Sequence, residues 1–188
     1  TEAVFTVTVI DDDVIEDLEF FIVAITGAEN ADIDITAGQA LVVITDDDVG
    51  VVTLSDVTVD GVGVGTGDIT VDEGAGELSF VLTLDKAVAP GVNVSVNYKI
   101  TGTTSAGSDY TTEIPQTVTF EGGETGLAPG ATATITIPIL DDNLFEGAET
   151  LTLTLVGGSS NAVVDPSSSS VTLTIEDIPL AFFTHLKL

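Results

Sequence analysis

Cysteine is absent from the 188 residues, so neither disulfide bonds nor thiolate chemistry is open to the chain. Cationic residues are almost as scarce, with Lys and Arg numbering 3 against 31 Asp and Glu, for a formal charge of −28. Nucleic acid binding needs a cationic face that displaces counterions, and so few cations cannot build one. An anionic membrane surface repels the chain for the same reason, so no membrane partner is expected. No apolar run approaches the roughly 18 residues of a spanning helix. With no Trp and 2 Tyr there is little aromatic surface for stacking sugars, so the paired carboxylates do not read as a glycosidase. The single histidine, His185, stands in a terminal stretch of different composition, AFFTHLKL. Alone it serves neither a catalytic triad nor, without Cys, a zinc site. No catalytic residue is nominated, and an enzyme is not expected.

What is present is apolar as well as acidic. Hydrophobic residues make up 44% and the mean hydropathy is +0.47, whereas disordered acidic chains are poor in apolar residues. The chain is therefore expected to fold against its own charge repulsion, and a cation that binds only the folded form relieves that repulsion. Thr1 leads directly into strand-like sequence with no signal-peptide pattern, which reads as a segment cut from something longer.

The strongest internal signal is a repeat. Residues 6–27 (TVTVIDDDVIEDLEFFIVAITG) match residues 136–157 (TIPILDDNLFEGAETLTLTLVG) at a shift of 130. Asp11, Asp12, Glu16, Glu19 and Gly27 fall on Asp141, Asp142, Glu146, Glu149 and Gly157. One residue further shifted, Leu41–Ile44 falls on Thr172–Ile175. The expected division is residues 1–48 as the C-terminal part of a first repeat, 49–179 as a nearly complete second one, and 180–188 as a tail. The acidic triplet Asp46, Asp47, Asp48 marks the joint.

Period-two alternation predicts half-buried strands almost throughout. Leu78, Phe80, Leu82 and Leu84 share a face, as do Val92, Val94, Val96, Tyr98 and Ile100. Ile135, Ile137 and Ile139 alternate with Thr136 and Pro138, and Leu151, Leu153 and Leu155 with Thr152 and Thr154. Gly/Asp/Ser/Pro clusters punctuate these runs, and no segment has a 3.6-residue period. From Val51 onward seven or eight short strands are expected, which suits an all-β, immunoglobulin-like antiparallel sandwich. Residues 1–48 supply about three, too few to close a core, so one apolar face is expected to lie open. GVGVGTGD (61–68) lacks the Lys and helix start of a phosphate loop and reads as an inter-strand loop.

Four segments carry a family resemblance: VDEGAG (71–76), GTTSAGSDY (102–110), VTFEGGET (118–125) and ILDDNLFEGAE (139–149), the last recurring as VIDDDVIEDLE (9–19). Residues 73–177 resemble the Calx-β domain, a Ca²⁺-binding sandwich of sodium–calcium exchangers and of large bacterial and animal surface proteins. The resemblance implies Ca²⁺ ligands at Glu73, Asp109, Asp141, Asp142 and Glu146, with Glu149 and Asp177 added. In the first repeat it implies Asp11, Asp12, Glu16 and the triplet Asp46, Asp47, Asp48. The second repeat departs from the pattern at Glu176-Asp177-Ile178-Pro179, where one acidic match, Asp177, remains.

Elementary chemistry points the same way. Ca²⁺ takes roughly 6–8 oxygen ligands, and clustered carboxylates repel until a divalent ion joins them. The spacing of Asp141–Glu149 fails the EF-hand pattern, so the site depends on a sandwich context. The expected function is a Ca²⁺-stabilised spacer of a tandem-repeat extracellular or cell-surface, adhesin-like protein, partnered by neighbouring repeats. Two alternatives are a fibre subunit that binds identical subunits by strand complementation, with Leu180–Leu188 as donor strand, and a regulatory Ca²⁺ sensor.

Overall fold

The alternating runs are strands with one face turned inward. In the first part of the chain they are β1 (Val14–Ile15), β2 (Glu19–Ala24) and β3 (Gln39–Ile44). There follow β4 (Gly50–Val59), β5 (Val62–Gly63), β6 (Ile69–Asp72), β7 (Glu77–Leu84), β8 (Ala87–Val88) and β9 (Asn93–Gly102). The series ends with β10 (Thr117–Glu121), β11 (Ala131–Pro138), β12 (Glu149–Gly158), β13 (Ala162–Val164) and β14 (Ser170–Glu176). The computed structural model describes residues 3–111, 116–142, 144 and 146–177, so the expectations for His185 and the 180–188 tail lie outside the described residues.

From Gly50 onward the strands form a sandwich. One sheet runs β10-β9-β12-β14-β6 and the other β11-β7-β4-β13, with β5 beside β4. Between them lie Leu78, Phe80, Leu82 and Leu84 of β7, Val94, Val96 and Tyr98 of β9, and Leu151 and Leu153 of β12, all buried. The alternate residues face water and tie neighbouring strands, as in Thr152–Thr172 at 2.8 Å and Thr154–Ser170 at 3.0 Å. Most pairs are antiparallel, but β6 on β14 and β13 on β4 are parallel. Eight of these strands have four residues or more, as the sequence pattern predicts.

Two local features escape that pattern. The expected 61–68 loop begins as a tight hairpin, because Asp60 (φ 47°) and Gly61 (φ 80°) both take the left-handed backbone that a two-residue reversal between β4 and β5 demands. Short 3₁₀ turns occupy Glu73–Ala75 and Pro166–Ser168, each too short to show a helical period.

The first part of the chain builds a separate hairpin, β2 on β3. Its register pairs Glu19 with Ile44 and Phe21 with Val42. In β12–β14, Glu149 pairs with Ile175 and Leu151 with Leu173, the same register after the sequence shifts. As expected of so few strands, this part leaves apolar surface open: Phe5, Val7, Phe20 and Leu41 are all more than half exposed. Ile15 is the exception. Strand β1 runs parallel to β8, and Ile15 is wholly buried in the sandwich core. Gly50 makes room for it, since a Cβ there would lie 2.5 Å from Leu84 Cδ1 and 2.9 Å from Ile15 Cδ1.

Candidate metal centre

Seven carboxylates reach one end of the sandwich by four routes. The parallel register of β6 and β14 sets Asp72 level with Glu176, so Glu73, opening the 3₁₀ turn, stands beside Asp177. Asp109 closes a turn in which its backbone N–H donates to Ser105 O at 3.0 Å and its carboxylate accepts from the Ser105 N–H. Leu140 N–H then donates to Asp109 O at 2.9 Å, drawing the segment that carries Asp141 and Asp142 to the same place. Within that segment Asp142 Oδ1 accepts from Leu144 N–H at 2.8 Å, and Asp177 accepts from Glu146 N–H. Glu149, first residue of β12, lies close enough to Asp109 for the two carboxyls to act on each other.

The result is a dense anionic site. Glu73 and Asp109 are 5% and 2% exposed, and they are the buried charged residues of the core region. Ligand oxygens of Glu73, Asp109 and Glu146 lie within 4.8 Å of one another. Burial first, then the Asp177 hydrogen bond and the charges of Asp177, Asp142 and Asp141, push the Glu73 carboxyl from 4.5 to about 7. Glu146 and Glu149 are also pushed up by desolvation and by their acidic neighbours. Every donor is a hard oxygen, and the site suits a hard cation that tolerates many carboxylates, which is Ca²⁺ chemistry rather than that of Mg²⁺ with its strict octahedron and retained waters. Of the seven residues singled out in the second repeat, Glu73, Asp109 and Glu146 converge within 4.8 Å, while Asp141, Asp142, Asp177 and Glu149 act on this group electrostatically.

The residues singled out in the first repeat form a second acidic cleft. Asp11, Asp12, Glu16, Asp46, Asp47 and Asp48 all line it, in a volume of about 250 Å³. Two bonds of the first centre recur in its frame: Asp12 Oδ1 accepts from Val14 N–H at 2.9 Å, and Asp46 Oδ2 from Glu16 N–H at 2.9 Å. Glu16 is pushed up by partial burial and by Glu19, Asp12, Asp46 and Asp48. Among the described residues no counterparts of Glu73 and Asp109 line this cleft. Lys86, just before β8, instead reaches across from the sandwich to Asp48 and, at 2.9 Å, to Asp13. Both partners hold its ammonium more firmly protonated than usual.

Three contributors were not singled out from sequence. Glu19 lines the cleft, and its alignment with Glu149 was the available signal. Lys86 and Ile15 gave none, since each acts through a residue far away in the chain.

The family model of the Calx-beta domain matches residues 1–48 and 56–177. Among solved structures, the chain is similar to the apo form of the Calx CBD1 domain, at 21% identity, TM-score 0.47, and coverage of 70% of this chain and 99% of that one. It is also similar to CBD12 from CALX1.2, at 25% identity and TM-score 0.45, covering 59% of this chain and 42% of that one. A two-domain protein of unknown function from Bacteroides fragilis NCTC 9343 aligns at 15% identity and TM-score 0.44, over 71% of this chain and 47% of that one. No curated protein sequence matches the chain. With the family model spanning nearly all of it, the chain belongs to the Calx-beta domain family of Ca²⁺-binding modules.

Proposed function

We propose that the chain is a Ca²⁺-stabilised spacer module of a tandem-repeat extracellular or cell-surface protein. The observation that carries this reading is the pair of buried carboxylates, Glu73 and Asp109, held within 4.8 Å of Glu146 with no cationic side chain among the metal-centre residues. Two buried carboxylates facing each other cost stability unless protonated or bridged. A Ca²⁺ ion held by Glu73, Asp109, Glu146 and Asp177, with Asp141, Asp142 and Glu149 around it, turns that cost into attraction. The ion's work here is structural: it ties the turn after β6, the turn before Tyr110, the segment before β12 and the end of β14 at one point. The first cleft places the triplet Asp46, Asp47, Asp48 where β3 passes into β4, so a cation there stiffens the passage. The identical register of β2–β3 and β12–β14 supports a tandem arrangement.

Thermal unfolding in millimolar Ca²⁺, in Mg²⁺ and in chelator tests the reading. A ligand that binds only the folded state raises its stability, by about 2.7 kcal/mol at a hundredfold excess over Kd. Ca²⁺ is expected to raise the melting temperature well beyond Mg²⁺. Equal, small effects of the two ions mean charge screening and overturn the site. Affinity separates spacer from sensor, a Kd of roughly 10⁻⁴–10⁻³ M fitting an extracellular module and a micromolar one fitting a sensor.

A further inference from the structure

The two acidic sites share part of their residues and differ in the rest. Asp11, Asp12, Glu16 and Glu19 fall on Asp141, Asp142, Glu146 and Glu149, and Asp46 falls on Asp177. Asp13, Asp17, Asp47 and Asp48 have no acidic counterpart, since the same shifts put Asn143, Gly147, Ile178 and Pro179 in their places. Both acids that Lys86 takes belong to this unshared set: Asp13 at 2.9 Å, and Asp48 in a closer contact. A cation carried by the sandwich thus stands against the charge that the first cleft has in excess. Lys99, the other Lys among the described residues, is exposed on β9 opposite Thr154 and does not line the cleft.

Of the two contacts, the one to Asp48 matters more. The Asp48 side chain is 12% exposed and that of Lys86 25%, whereas Asp13 is 95% exposed and its pairing is weakened by water. Asp48 also lines the cleft, and its N–H donates to Asp46 Oδ1 at 3.3 Å. Asp46 in turn accepts from Glu16 N–H, so the ammonium is seated beside the frame that would hold an ion. The frame does not need it, because neither the Asp12–Val14 nor the Asp46–Glu16 bond passes through Lys86. Nor does the joint rest on it alone, since Ile15 is buried in the core without any charge.

We infer that Lys86 is a built-in rival of the cation in the first cleft: its ammonium holds Asp48 in the metal-free chain, and a divalent ion that recruits Asp48 must displace it. This rests on the proposed Ca²⁺ binding there and adds what sets its strength. Ca²⁺ seeks roughly 6–8 oxygens, and Lys86 withholds one carboxylate while its own charge repels the ion. Both effects lower the affinity of the cleft. The joint is tied in either state, loosely by a flexible four-carbon side chain without the ion and tightly by the ion itself.

Amide NMR of the whole chain during a Ca²⁺ titration tests this site by site. The Val14 and Glu16 N–H groups report the cleft, and the Leu144 N–H reports the metal centre. The Ala89 N–H, bonded to the Ile15 carbonyl, shows that the joint is intact in each variant. Lys86→Met keeps an apolar stem and removes the charge. In it the Ca²⁺ concentration that half-shifts Val14 and Glu16 is expected to fall by at least about tenfold, with Leu144 unmoved. Lys86→Gln should act alike, and Lys86→Arg should stay near the unaltered chain. Asp48→Asn should weaken cleft binding more in the Lys86→Met chain than in the unaltered one, because only there does the ion have Asp48 without a rival. Cleft amides that respond at the same or a higher Ca²⁺ concentration in both neutral variants overturn the inference and leave the Ca²⁺ reading standing. Cleft amides that respond in no chain overturn it together with ion binding at the cleft, while Leu144 still decides the metal centre.

Discussion

Glu73 is the residue on which the metal centre turns. It is buried and faces Asp177, Asp142 and Asp141, and its carboxyl is raised from 4.5 to about 7. A raised carboxyl binds a proton more tightly in the folded state than in the unfolded one. Its stabilising contribution is complete below about pH 4.5 and is lost as pH rises through about 7. The metal-free protein is therefore expected to lose stability between those values, and Ca²⁺ to stabilise it more at pH 8 than at pH 5. Urea midpoints measured against pH, in chelator and in Ca²⁺, check this. Glu73→Gln should flatten the metal-free slope, since the amide is neutral throughout, and should shrink the Ca²⁺ shift as well. A slope unchanged by the substitution assigns the effect to another group. Sequence reached Glu73 through the family motif VDEGAG and not through periodicity, because the residue sits on a 3₁₀ turn where alternation stops. Its burial came from no sequence signal: it depends on the parallel pairing of β6 with β14, whose partners lie a hundred residues apart.

Among the elements, those with long alternation were legible and the short ones were not. Strands β7, β9, β11 and β12 each carry three or more apolar residues at period two, and each lies where the pattern puts it. Strands β1 and β8 have two residues each, too few for any period, yet they form the joint between the first part of the chain and the sandwich. Within VIDDDVIEDLE the residues Val14 and Ile15 read only as spacers between acidic groups. In the structure Ile15 fills the core beside Leu84 and Gly50, and its carbonyl accepts from Ala89 N–H at 2.9 Å. Truncation to Ala at a fully buried Ile costs about 2–5 kcal/mol. Ile15→Ala is thus expected to release β1 and to speed hydrogen exchange at the Ala89 amide, while the amides of β7 and β12 keep their protection. Equal protection of Ala89 in both proteins assigns the joint to Lys86 and the acidic cleft instead.

For the whole molecule the deciding quantity is charge. With 31 acidic residues against 3 Lys and Arg, the two acidic sites repel each other and their own contents. Lys86 offsets a small part of this at the joint through Asp13 and Asp48. Diffuse salt and bound Ca²⁺ act differently on such a molecule. Screening shortens the Debye length to about 8 Å at 0.15 M and acts on all exposed charge alike. A bound ion acts only where its ligands meet. Small-angle scattering in chelator at low salt is therefore expected to give the largest radius of gyration, with the hairpin of β2 and β3 swinging about the joint. Sodium chloride should reduce it partway. Millimolar Ca²⁺ should reduce it further even at 0.15 M salt, because the cleft holding Asp46, Asp47 and Asp48 lies where β3 leads into β4. If Ca²⁺ adds nothing beyond salt, the joint is held by Ile15 and Lys86 alone. The chain would then owe its stiffness to packing, and Ca²⁺ would act only at the candidate centre around Glu73.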